Sequence, residues 1–308
     1  MKRFIFGSAL FIIPIIGCFI FFESKCRDCL AFVKKRNYII SSLANIQIIA
    51  TGTSHIEFGI YSENEHQIYN WGAAGQSFGY ENALFDRYIN QMKRLKVVFI
   101  EVSETRLLMN DEVSQWNSNV YWIHYGLPYN VNVLNPRSYF HLTQAYDFFR
   151  PIVINDLTKK NDRVEVNEAG YMVENHDGRF ELLSFNKNEI EKTFKMVYDF
   201  DEDSLVIAAN LLHLERTINL LKSKGIRVIL LHPPFYYTFN RSIPQELVRR
   251  LQNKVQDIAR FKKVEFWDYT WFMEDSVQYF YNDNHLNKDG ARKWTSVLCD
   301  SLVNLSIH

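Results

Sequence analysis

Residues 46–60 read Ile-Gln-Ile-Ile-Ala-Thr-Gly-Thr-Ser-His-Ile-Glu-Phe-Gly-Ile. The apolar run Ile46 to Ala50 predicts a buried strand, and Thr51-Gly52-Thr53-Ser54-His55 predicts a sharp turn at its carboxyl end. Ile56, Phe58 and Ile60 then return the chain to a core. A hydroxyl at the end of a first strand, opening the next element, is where an open α/β sheet places its chemistry. A helix starting there would turn free N–H groups toward negative charge beside that hydroxyl. Two readings compete at Ser54, a nucleophile and a plain helix cap. The rest of the chain decides between them.

Outward from this stretch, strands alternate with helices. Residues 96–102 form a continuous apolar run, as a strand covered on both faces should. So do residues 226–231, closed by His232-Pro233-Pro234, and a short strand is predicted at 263–267, leading to Asp268. Another is predicted at 66–70, running into the loop Trp71-Gly72-Ala73-Ala74-Gly75-Gln76-Ser77. Helices are expected at 78–95, 204–224, 244–260 and 288–303. The second carries Ile207, Leu211, Leu214, Ile218 and Leu221 at helical spacing and ends at Lys224-Gly225. Pro244 suits a first turn. The alternation predicts a parallel sheet covered on both faces. Residues 104–200, rich in aromatic, Asn, Pro and Gly residues, are too long for a plain connection and read as an insertion that forms a lid or substrate wall. Within it we expect helix at 138–158, a hairpin around Gly170-Tyr171 and Asp177-Gly178, and a helix at 187–198.

The 308 residues hold 35 basic and 35 acidic side chains, a balance that argues against a nucleic-acid partner. The 24 Phe, 17 Tyr and 6 Trp suit a thick core and an aromatic-walled groove. Met1-Lys2-Arg3 precedes Phe4 to Phe22, 19 residues without a charge. That predicts a membrane-spanning signal anchor over 4–22, within an N-terminal unit of residues 1–30. A stalk helix at 31–45 would follow, then a body at 46–308 outside the cytoplasmic membrane. A lipoprotein signal cut before Cys18 is the alternative. Cys26 and Cys29 read as a disulfide or an inert pair, and Cys299 as a small core residue. No set of residues completes a zinc site, and no cofactor is expected.

Ser54 needs a base. His285 lies in the polar loop Asn282-Asp283-Asn284-His285-Leu286-Asn287, with Asp283 two residues before it. An imidazole that takes a serine proton needs an acceptor on its far nitrogen to hold its tautomer, and an acid in the same turn can provide one.

Together these segments resemble the SGNH (GDSL-type) hydrolase superfamily. Gly52-Thr53-Ser54-His55 is similar to its first block, the Asn70–Ser77 loop to its second, and the loop holding Asp283 and His285 to its last. The resemblance implies a three-layer α/β/α, flavodoxin-like domain. It implies Ser54 as nucleophile, His285 as base, Asp283 as its acid, and the N–H groups of Ser54, Gly75 and Gly72 as oxyanion donors. The family places its acid three residues before the histidine, which here is Asn282; Asp268 is a distant candidate. Its third block has Gly-x-Asn-Asp, where this chain reads Glu101-Val102-Ser103-Glu104, with Ser103 the possible donor. In organisation the chain is similar to envelope proteins that move acyl groups, such as the D-alanyl transfer protein of teichoic acid synthesis and alginate-type O-acetyltransferases. That implies an esterase or O-acyltransferase acting on a cell-surface glycan. A non-catalytic subunit that binds a glycan or a membrane acyltransferase, and an ordinary ligand-binding doubly wound domain, are the competing expectations.

Overall fold

The computed structural model describes residues 2–29, 31–61, 68–110, 115–143, 165–173, 179–195 and 203–305. Five strands form one wholly parallel sheet: β1 (Ile48–Thr51), β2 (Ile68–Asn70), β3 (Val97–Glu101), β6 (Arg227–His232) and β7 (Glu265–Asp268). Between β3 and β6 lies a small antiparallel pair, β4 (Glu165–Val166) and β5 (Met172–Val173). The sheet order is β2-β1-β3-β6-β7, the doubly wound order, whose direction reverses between β1 and β3. Ligands of such sheets bind outside the carboxyl ends of the strands at that reversal. Thr51 ends β1 and Glu101 ends β3, so both open onto it.

Why these residues make this sheet follows from burial on both faces. Ile49, Ala50, Val98, Phe99, Ile100, Ile229, Leu230 and Leu231 have no exposed surface. On one face Ile49, Val98, Ile100 and Leu230 pack with Leu84, Phe85, Leu214, Ile218 and Leu251 from the covering helices. On the other, Ala50, Phe99, Ile229 and Leu231 pack with Ile56, Trp294 and Leu298. The helix Phe78–Tyr88 ends seven residues short of its predicted bound, while Ser204–Ser223, Gln245–Lys262 and Lys288–Leu305 fall within about two residues of theirs. Pro244 caps the third, and Gly225 takes φ 74 just past the second. In the insertion the predicted helix at 187–198 is Lys187–Thr193, and the Gly170 turn joins β4 to β5. Residues 144–164, most of the helix expected at 138–158, and 174–178, the Asp177-Gly178 turn, lie outside the described residues.

The amino-terminal reading needs correction. Among the described residues no helix is long and apolar enough to cross a membrane, which overturns the single-pass anchor at 4–22 and the localisation drawn from it. The helix Lys2–Cys29 exists. Its last turns carry the charged side chains Glu23, Lys25 and Arg27. The end of this helix is engaged with protein instead. Glu23 accepts the His141 and Leu142 N–H groups at 3.1 Å, and Arg27 reaches the Tyr139 carbonyl at 2.8 Å. Cys18, the alternative lipidation site, is an exposed free thiol within the helix. The side chains of Cys26 and Cys29 lie outside the described ones.

The helix expected as a stalk, Ala31–Ser42, packs on the body: Lys35, Ile39 and Leu43 just beyond it are all buried. Cys299 is buried in the second core cluster, as a small core residue should be.

Candidate active site

Ser54 opens a four-residue helix, Ser54–Glu57, directly after β1. The cap of that helix is Thr53, whose side chain accepts the His55 N–H. The capping function therefore falls on the neighbour, and the Ser54 hydroxyl is left for other chemistry. It stands 2.8 Å from His285 Nε2. Among the described residues no acceptor engages the Ser54 N–H, as the first turn of a helix leaves it.

The hydrogen-bond network fixes the tautomer of His285. Asn282 Oδ1 accepts the backbone N–H of His285 at 2.9 Å and that of Asn284 at 3.1 Å. Two backbone donors identify this atom as the amide oxygen, so the His285 Nδ1 lying 3.2 Å from it carries the proton. Nε2 is then bare and accepts from the Ser54 hydroxyl, the arrangement a general base needs. Burial of the ring, then the neighbouring His55, lowers the His285 pKa to about 3. Its neutral form is thus present throughout the neutral range. An ordinary histidine would be about 97% protonated at pH 5. We expect hydrolysis of an activated ester to keep its rate from pH 7 down to pH 5, measured as initial rates; a fall following a group near 6.5 would contradict this.

Asp283, expected as the acid, does not face His285. Its carboxylate binds Arg179 Nη1 at 3.0 Å and the Thr238 hydroxyl at 2.5 Å, tying the insertion to the loop that carries His285. Adjacent residues of a tight turn project in different directions, and here the family's own position, Asn282, is the one beside the ring. Asp268 is likewise elsewhere, accepting from Thr270. Of the expected oxyanion donors, Gly72 gives its N–H to Asn70 Oδ1 at 3.1 Å, so it is not available for that role. Gly75 stands in the same loop with φ 69, a left-handed conformation that glycine adopts without a Cβ penalty. Ser103 donates its hydroxyl to Glu101 Oε1 at 2.7 Å and caps the next helix, away from an oxyanion role.

Several residues that sequence reasoning missed hold this loop. Asn70 at the end of β2 donates to the carbonyls of Ile56, Glu57 and Ile60, closing the Ser54 helix from below. Its Oδ1 also accepts from Lys35 Nζ at 3.2 Å. Lys35 reaches the Gly72 carbonyl as well and pairs with Glu57 at 3.5 Å. Burial pushes the Lys35 amine down and the Glu57 carboxyl up, each toward its neutral form, while each opposes the other's shift. Glu57 Oε2 also accepts the Ala74 N–H at 2.8 Å. On the far side, Arg106 binds the Gln76 carbonyl at 3.2 Å, the Glu101 carbonyl at 2.7 Å and Glu81 at 2.9 Å. One signal was readable in advance: Glu101, a charged side chain closing an all-apolar strand, had to find buried partners.

Beside the Ser54–His285 pair, Phe58 packs edge-on against the His285 ring at 5.4 Å between centroids. Phe58 also lines a cavity of about 430 Å³ with Tyr171, Phe185, Tyr279, Tyr281 and Lys288. Among the described residues no group of three or more His, Cys, Asp or Glu is placed to hold a metal ion.

No protein-family model matches the chain, and no curated protein matches it. Solved structures do resemble it. A chain from Streptococcus pneumonia, provisionally assigned as a platelet activating factor, is 13% identical with a TM-score of 0.44, covering 96% of this chain and 99% of that one. A variant of an acetyl-xylooligosaccharide esterase from Geobacillus Stearmophilus is 12% identical with a TM-score of 0.40, covering 83% and 93%. An alpha/beta hydrolase enzyme from the metagenome of Lake Arreo, Spain, is 12% identical with a TM-score of 0.36, covering 82% and 92%. The neighbours of this parallel α/β chain thus include an esterase and a hydrolase, while the chemistry of its site stands on its own geometry.

Proposed function

We propose that this chain is a serine esterase or O-acyltransferase of the SGNH kind. Its substrates would be acyl esters, acetyl foremost, of a cell-surface polysaccharide. The observation that carries the reading is the 2.8 Å contact between Ser54 Oγ and a His285 Nε2 left bare by the Asn282 bond. Ser54 attacks the acyl carbonyl as His285 takes its proton. The N–H groups of Ser54 and Gly75 hold the oxyanion. His285 then protonates the departing sugar oxygen, leaving an acyl-serine. Water or a second sugar hydroxyl, deprotonated by the same imidazole, releases the acyl group. Water makes an esterase and the sugar makes a transferase. Asn282 does for His285 what an amide can do: it fixes the ring without adding charge. The aromatic-walled cavity beside Phe58 supports a carbohydrate ligand, whose C–H faces stack on rings while its hydroxyls meet polar side chains. The roles of Ser54, His285 and Gly75, the glycan and any membrane acyltransferase partner are parts of this proposal.

The full chain is expected to react covalently with a serine-directed fluorophosphonate, with Ser54→Ala abolishing the label while far-UV circular dichroism stays unchanged. Equal labelling of wild type and variant would remove Ser54 from the mechanism.

A further inference from the structure

β3 ends in a carboxylate where the expected third block has a donor. Glu101 has no exposed surface, yet it is fully engaged. Oε2 accepts the Thr53 N–H at 2.6 Å and the Thr53 hydroxyl at 2.9 Å. Oε1 accepts the Ser103 hydroxyl at 2.7 Å and lies 2.9 Å from His55 Nδ1. A Cβ on Gly52 would sit 2.4 Å from Oε2, so the glycine is what lets the carboxylate come this close. Burial alone would raise the Glu101 carboxyl. His55, with Arg106 and Ser103, overcomes that and holds it below the usual carboxylate range.

His55 carries the contact onward. A carboxylate only accepts, so Nδ1 bears a proton, and Nε2 is the nitrogen turned toward Asn284. Nε2 lies 3.3 Å from Asn284 Nδ2, and Asn284 stands between Asn282 and His285 in the catalytic loop. The His55 and His285 rings are 5.3 Å apart. The bonds of His285 itself are to the Ser54 hydroxyl and the Asn282 amide, neither of them a carboxylate. Proton transfer from Ser54 turns His285 into an imidazolium, which a nearby negative charge would stabilise.

We propose that Glu101, acting through His55 and Asn284, is the positioning acid of this site. It stands one ring away from His285, in place of a carboxylate on its Nδ1. Glu101 locks the His55 tautomer, and His55 clasps Asn284. The clasp sets the 282–285 loop so that His285 Nε2 faces Ser54. The inference rests on the acyl-transfer reading for its kinetic part and on geometry alone for its tautomeric part.

The test has two readouts on the full chain. In ¹⁵N spectra of the histidine rings, wild type should show His55 and His285 as fixed Nδ1–H tautomers. Asn284→Ala, which leaves the buried cluster intact, should mix the His285 tautomers. An unmoved His285 signal in that variant overturns the proposal whether or not the protein turns over an ester. With p-nitrophenyl acetate, Glu101→Gln should lower kcat at least tenfold with KM within twofold, and Asn284→Ala should lower kcat less. A folded Glu101→Gln with wild-type kcat also overturns it. Should that variant fail to fold, the spectra of Asn284→Ala decide alone. Absence of any turnover in wild type counts against the esterase reading, and the tautomers still decide the clasp.

Discussion

His285→Ala should lower kcat/KM for an activated ester by on the order of 10⁴-fold, the scale of losing the base of a serine triad. Asn282→Ala should cost on the order of 10–100-fold. The ring would keep its contact with Ser54 but lose the acceptor that fixes its tautomer. Asp283→Asn should act differently. Its carboxylate binds Arg179 and Thr238 rather than the imidazole, so the substitution should leave kcat within about threefold of wild type. The three variants, compared by steady-state kinetics under one condition, separate the residue beside the ring from the nearer acid in sequence. An Asp283→Asn loss as large as that of His285→Ala would reverse this assignment.

Arg106→Met should be the most damaging change to the fold itself. The guanidinium has no exposed surface, lies over the Phe78 ring at 4.0 Å and answers the fully buried Glu81. Burial raises the Glu81 carboxyl and Arg106 opposes it. Removing the cation leaves an uncompensated buried acid, at a cost of about 3–5 kcal/mol. Urea unfolding should show that loss as a lower midpoint. Replacing both partners, Arg106→Met with Glu81→Met, should recover much of it, because an apolar pair needs no counter-charge. The double variant should still turn over ester slowly, since the Gln76 carbonyl, next to Gly75, has lost its donor. A single variant as stable as wild type would show that the pair contributes little.

The sheet was legible because its strands are apolar on both faces, and the Ser54–His285 pairing because Ser54 follows the first strand and His285 lies in a polar loop before the last helix. Three things were not legible. Asn282 and Asp283 are adjacent, and which one faces a ring depends on turn geometry that composition does not encode. The partners of Glu101 come from residues 53, 55 and 103, so only the folded turn brings them to one carboxylate. The amino-terminal run looked long enough to span a bilayer as a count of uncharged residues. Yet the end of its helix binds protein through Glu23 and Arg27, and among the described residues no helix is long and apolar enough to cross a membrane. Lys35 shows the same blindness in reverse. In the sequence it is one more charge on a helix, and in the fold it holds the loop that carries Gly75.

The separation of Ser54 from His285, 231 residues along the chain, also has a consequence in time. At about 5–20 residues per second, the ribosome delivers His285 roughly 12–46 seconds after Ser54. Through that interval the nascent chain holds Ser54 without His285. The Ser54–His285 contact can form only after all five strands of the parallel sheet have been made.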